Sequence, residues 1–130
     1  MIDIKTDFGT ITITKSIIAK IVSEAINLQQ SKVILTNHKG KPLGIGGKIG
    51  VFDESNIIEV TPNGQSVDIK FYIMIKFGKS IGAITNELIE TVRSEMMALT
   101  GVMPNSVSVV ITGMLSKNEI VAKRNIEIKK

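Results

Sequence analysis

From Ser66 to Phe77 every second residue is a large apolar one. Val67, Ile69, Phe71, Ile73, Ile75 and Phe77 share one side of an extended strand. Asp68, Lys70, Tyr72, Met74 and Lys76 share the other. A period of two marks a strand with one face in a core and the other largely in water. Ahead of it, Thr61-Pro-Asn-Gly-Gln65 reads as a turn, because proline fixes one φ and Asn-Gly accepts positive φ. The turn joins the long strand to Ile57-Ile-Glu-Val60 as a hairpin. After Gly78-Lys79 the period changes. Ile81, Ile84, Leu88, Val92, Met96 and Leu99 recur every three or four residues, which predicts a helix of about twenty residues, roughly 30 Å long. Ser80 can cap its start, and Gly101 can end it in a left-handed conformation. Beyond Pro104 the period returns to two, with Val107, Val109 and Ile111 on one face of a further strand.

The N-terminal part follows the same scheme. Ile2 and Ile4, then Ile11 and Ile13, alternate on either side of Phe8-Gly9-Thr10, which predicts one or two short strands. Thr14 or Ser16 caps a helix whose apolar stripe is Ile17, Ile18, Ile21, Val22, Ala25 and Ile26. A short apolar triplet, Val33-Ile-Leu35, follows. The order strand, helix, hairpin, helix, strand predicts an α+β domain: one mixed or mainly antiparallel sheet with two helices packed on one face. This single domain occupies residues 1–114. Residues 115–130 form a basic C-terminal extension, in which Asn125-Ile-Glu-Ile-Lys129 alternates once more, as an edge strand would.

Composition narrows the role. At 130 residues, 43% hydrophobic and 22% charged, the chain is one ordinary globular domain. It has no cysteine, which excludes disulfides and zinc–thiolate sites and fits a reducing cytoplasm. Met1-Ile-Asp-Ile-Lys5 shows no secretory leader. The apolar runs stop after a few residues, short of the roughly twenty that a spanning helix needs. A cytoplasmic location is expected, with membrane contact at most peripheral. The net charge of +4 is uneven. Lys32 to Lys48 carries four lysines and no acid, and the segment from Lys117 to Lys130 is also basic. Exposed basic patches favour anionic partners, so Lys39, Lys41 and Lys48 are candidates for an anionic-surface contact. Lys70, Tyr72, Met74 and Lys76, on the outer side of the long strand, form a candidate partner face.

Candidate chemistry is sparse. Leu43-Gly-Ile-Gly-Gly-Lys-Ile-Gly-Val51 holds four of the eleven glycines. As a Walker loop it lacks the first glycine, where Pro42 stands, and the hydroxyl, where Ile49 stands. As a dinucleotide loop it has Ile49 in place of the third glycine. Gly47-Lys48-Ile49-Gly50 does match the Gly-x-x-Gly of KH domains, so a KH-like RNA-binding role is the alternative reading. Nucleic acid is nevertheless the less favoured partner, because a KH loop sits between two helices and neither flank here reads as helical. His38 is the only histidine and lies in a polar stretch. No Gly-x-Ser-x-Gly and no metal-spaced cluster appears. The sequence calls for no cofactor and no catalytic residue.

Three segments together resemble the alkaline-shock-protein family of Gram-positive bacteria. They are Phe71-Tyr-Ile-Met-Ile-Lys-Phe-Gly78, the helix closing in Met97-Ala-Leu-Thr-Gly101-Val102, and Val107-Ser-Val-Val-Ile-Thr-Gly113. Gly9-Thr-Ile-Thr-Ile-Thr14 with Ile17, Ile18 and Ile21 is similar to the family's opening strand and capped helix. Met114 replaces a usual valine, Ser16 replaces a usual glutamate, and Lys48-Ile-Gly-Val51 carries one inserted residue. The resemblance covers most of residues 4–114. It implies a non-enzymatic cytoplasmic scaffold or adaptor linked to cell-envelope homeostasis or alkaline stress, acting through protein–protein contacts. It also implies a protein partner, either membrane-anchored or a fatty acid kinase component, and self-association. A long strand with an uncommitted face and alternating termini agree with a homo-oligomer, most simply a two-fold dimer.

Overall fold

The computed structural model describes residues 2–6, 9–29, 32–36, 58–76, 80–116 and 119–130. Phe77 and the whole segment 37–57, with His38, Lys39, Lys41, Lys48 and the glycine-rich stretch, lie outside the described residues. The elements in chain order are β1 (Ile2–Thr6), β2 (Gly9–Ile13), α1 (Lys15–Leu28), β3 (Val33–Thr36), β4 (Ile58–Asn63), β5 (Ser66–Lys76), α2 (Ile81–Thr100), β6 (Ser106–Ser116) and β7 (Glu119–Lys129). The fold is α+β, with both helices packed against a mixed sheet.

β1 and β2 form an antiparallel hairpin of their own, in register from Ile2↔Ile13 to Thr6↔Gly9. In the Asp3–Thr12 pair the threonine hydroxyl donates to the carboxylate at 2.9 Å. Ile13 ends the hairpin inside the core. The next residue, Thr14, is the helix cap: its extended backbone lets the hydroxyl accept from the Ile17 N–H at 3.3 Å. Ile18, Ile21, Val22, Ala25 and Ile26 are buried, whereas Ile17 is exposed. At 100° per residue Ile17 stands about 140° from Val22 around the helix, beyond the shoulder of the buried arc.

β5 is the centre of the sheet. Val67, Ile69, Phe71, Ile73 and Ile75 all lie in the core. Along one edge β5 pairs in parallel with β6, and α2 makes the crossover that a parallel pair requires. Along the other edge β3 and β4 lie end to end. Thr36 faces Tyr72, and Ile58 faces the next residue, Phe71. Pro62 lies within β4, at the sheet's margin, where a missing N–H is tolerated. The hairpin loop is Gly64-Gln65, one residue later than Asn-Gly would place it. Gly64 has φ 61°, the positive value that tight hairpin turns demand.

β7 closes the sheet on the far side, antiparallel to β6. The C-terminal segment is thus paired within its own chain. Ile126 and Ile128 pack against the core. Lys130 is held as well, since its carbonyl accepts from Arg93 of α2 at 3.2 Å. Thr112 is a bulge. Ile73 faces Ile111 and Met74 faces Gly113, so Thr112 has no partner on β5. Its hydroxyl instead donates to the Ile73 carbonyl at 3.1 Å and lies 3.2 Å from that of Thr36.

α2 begins at Ser80, whose hydroxyl accepts from the Ala83 N–H at 3.3 Å, and ends at Gly101, which has φ 74° and donates to Met97 O at 3.0 Å. Ile84, Leu88, Ile89, Val92 and Met96 are buried. Leu99, placed in the inner stripe by its spacing, is 62% exposed. Its angular position belongs to the buried arc, but it stands in the last turn of α2, at the helix end.

Two glycine substitutions test the backbone reading. Both sites leave room for a methyl group, but only Gly101 has positive φ. Gly101→Ala should cost about 1 kcal/mol, and Gly82→Ala, in the first turn of α2, should stabilise by a few tenths to about 1 kcal/mol. Urea midpoints of the two variants should therefore move in opposite directions.

Candidate functional site

The face of the sheet turned away from the helices carries the polar positions of four strands. Register places them in rows. Thr61 faces Asp68, which faces Ser106; Glu59 faces Lys70, which faces Ser108, which faces Lys129. Tyr72 faces Val110, which faces Glu127. These rows border a shallow depression of about 300 Å³.

The charges on this face engage one another. Lys70 Nζ lies 2.9 Å from Glu127 Oε1, across two strand spacings. That carboxylate, through its hydrogen bond, raises the Lys70 ammonium pKa above its ordinary value. Both side chains are more than a third exposed, so the pair adds at most about 1 kcal/mol. The Tyr72 hydroxyl donates to Glu59. Partial burial, and then that bond, push its pKa up to about 12.

Asp68 is the most constrained group. Its carboxylate accepts from Ser106 Oγ at 2.6 Å, Asn105 Nδ2 at 2.9 Å and Asn63 Nδ2 at 3.0 Å. These three bonds hold its pKa down to about 2. A carboxylate so stabilised is a poor proton acceptor at neutral pH. It acts as a clasp, tying the β4–β5 turn to the loop that enters β6. Among the described residues no three acidic or histidine side chains converge as a metal site would require.

Of the face proposed from sequence, Lys70 and Tyr72 stand within this network, and Lys76 is half-buried at the strand end. Met74 departs from the expectation, for it is only 2% exposed. In register it sits between Ile34 and Gly113. Lys39, Lys41, Lys48 and the Gly47–Gly50 loop lie outside the described residues. The nearest described elements on either side of that loop are the strands β3 and β4. Glu59 and Glu127 were not singled out by sequence reasoning. The alternation of their own strands puts each on a polar face, but only register brings them to Tyr72 and Lys70.

A second surface lies on the helices. Gln29, at the end of α1, bonds Glu87, near the start of α2. A groove of about 350 Å³ continues between Glu24, Asn27 and Leu28 of α1 and Thr91 and Glu95 of α2. The helices therefore run antiparallel, with Ile17 and Leu99 at the same end. Ile17, Leu99 and Met103 are exposed there, and Leu28 is exposed at the other end.

This order of strands, capped helices and glycine stops meets its match in one comparison. The model of the alkaline shock protein family, described as having a cell envelope-related function, matches residues 3–116. The chain belongs to this family. The match spans β1 through β6 and takes in both helices and the Asp68 clasp. No curated protein and no solved structure matches the chain. The family's function is cell envelope-related, and no described helix is long and apolar enough to cross a membrane.

The clasp gives a pH signature. Because the folded pKa of Asp68 lies below its ordinary 3.8, its contribution is present in full above about pH 4 and fades as pH falls towards 2. Asp68→Asn should lower stability at pH 7 by no more than about 1 kcal/mol for a partly solvated group, read as a lower urea midpoint. The gap from wild type should close between pH 4 and 2.

Proposed function

We propose that the protein is a non-enzymatic adaptor in cell-envelope homeostasis, working on the cytoplasmic side through protein–protein contacts. The observation that carries this reading is the exposure of Leu99, a residue on the core-facing arc of its helix that its own domain leaves uncovered. Ile17 and Met103 extend the apolar surface at the same end. Apolar side chains at an edge of a fold gain most when a partner removes them from water, at about 25 cal/mol per Å². The outer sheet face is less suited, because its charges already satisfy one another. The partner class that fits the family's envelope role is a protein held at the membrane, which would bring a chain whose described helices do not span to the membrane's inner side.

The reading is tested by Leu99→Glu combined with Met103→Glu. Both sites are exposed, so the fold should survive, which thermal melting checks. In cells, a photo-crosslinker at Ile17 should capture a membrane-fraction protein in the wild type, and the double variant should lose that product. Crosslinks unaffected by the double variant would remove the apolar end from the contact. Retention on an RNA column that falls steeply with salt would favour the KH-like alternative instead.

A further inference from the structure

The outer edge of β7 has no neighbouring strand among the described residues. Its backbone phase can be read from the last pair of the ladder. Val107 N–H donates to Lys130 O at 2.9 Å, and Lys130 N–H donates to Val107 O at 3.1 Å. In an antiparallel ladder such closed pairs alternate with open ones. The register runs Ser108↔Lys129, Val109↔Ile128, Val110↔Glu127 and Ile111↔Ile126. The backbone groups of Ile126, Ile128 and Lys130 therefore face β6. Those of Glu127 and Lys129 face outward, and among the described residues no strand takes them.

We infer that residues 126–130 of β7 pair antiparallel with the same residues of a second copy of this chain, about a two-fold axis at Ile128. Three features select this arrangement. The first is regularity. Register shifts distort β7 at two points upstream of Ile126, and none occurs after it. Irregular edges resist pairing, so only the last stretch offers a straight template. The second is charge. Centring the axis on Ile128 sets Glu127 opposite Lys129 of the second copy, and Lys129 opposite its Glu127. Centring it on Glu127 or Lys129 would set like charges face to face, which is destabilising. The third is phase. Glu127 and Lys129 are the residues whose backbone groups point outward, so each Glu–Lys pair closes two hydrogen bonds, about four in all.

On the inner side Ile128 would meet Ile128 of the second copy, extending the apolar layer already begun against the core. On the outer side Glu127 would lie between Lys70 of its own chain and Lys129 of the other. Five residues per copy is a short overlap, well below the contact area of a permanent dimer. The association is therefore reversible and concentration-dependent. The lysine has two roles, since an edge charge blocks indiscriminate pairing and here permits one register.

Sedimentation of the full chain from low micromolar to millimolar concentration should show monomer passing to dimer. Lys129→Glu leaves the Lys70–Glu127 pair intact and should weaken the dimer about tenfold. Glu127→Lys should do the same, and the two together should restore it. Thermal melts check that each variant folds. The chain has no cysteine, so Ile128→Cys provides a unique reporter. An open cross-strand pair spaces its Cα atoms at about 4.5 Å, within disulfide reach. Mild oxidation should give a disulfide-linked dimer. A wild type monomeric throughout, a double swap that fails to restore pairing, or a dimer that responds to Leu99→Glu and not to Lys129→Glu would each overturn the inference.

Discussion

Five side chains of β5, Val67, Ile69, Phe71, Ile73 and Ile75, are withdrawn from water on one face of one strand. Each such burial is worth roughly 1.5–3 kcal/mol. Their strand has neighbours on both edges, so the rest of the molecule is arranged around it. The parallel partner β6 demands a crossover, and α2 is that crossover. The opposite edge is shared by two short strands, so β3 and β4 meet at the level of Phe71 and Tyr72. With the inner face closed by aliphatic packing against both helices, the polar side chains of β4, β5, β6 and β7 are left to settle among themselves on the outer face.

That outer face shows what register does to charge. Taken alone, Lys70 is an exposed lysine and Tyr72 an exposed tyrosine. In register they become members of a closed set with Glu59 and Glu127, and the hydroxyl and ammonium groups lose much of their availability. Asp68 is the extreme case. Three donors, from the end of β4, the loop before β6 and the start of β6 itself, converge on it, and its value lies in joining the start of β5 to the start of β6. By contrast, the helix end around Leu99 has apolar surface that nothing in the described structure covers. A protein whose family has a cell envelope-related function thus presents one self-satisfied face and one unsatisfied end.

Local features of the fold were legible in the chain. The period-two run through β5, the caps at Thr14 and Ser80, and the left-handed stop at Gly101 each depend on a few adjacent residues. So did the two helices, although Ile17 and Leu99 were assigned to stripes they leave: one by angle, the other at the helix end. Long-range features were not legible. No local signal says that Val33–Thr36 lies beside β5 and shares its edge with β4. The bulge at Thr112 arises from pairing with strands far away in sequence. Nor does alternation alone reveal that Met74 is buried, since it sets that residue on the same side as Lys70 and Tyr72. The family's motifs were readable because they are made of these local stops and caps, whereas the Asp68 clasp and the Lys70–Glu127 pair required strands to be laid side by side.

The meeting of β3 and β4 bears on how this family can diversify. Thr36 and Ile58 face consecutive residues of β5, so the chain leaves the sheet and rejoins it at nearly the same place. Whatever length of chain runs between those two points, the sheet's geometry asks only that its ends stay together. Loop-closure entropy grows slowly with length, about 0.6 kcal/mol for each doubling. The sheet therefore sets little limit on the number of residues between Thr36 and Ile58. Relatives with the same sheet and helices should differ most in the number of residues between those two points.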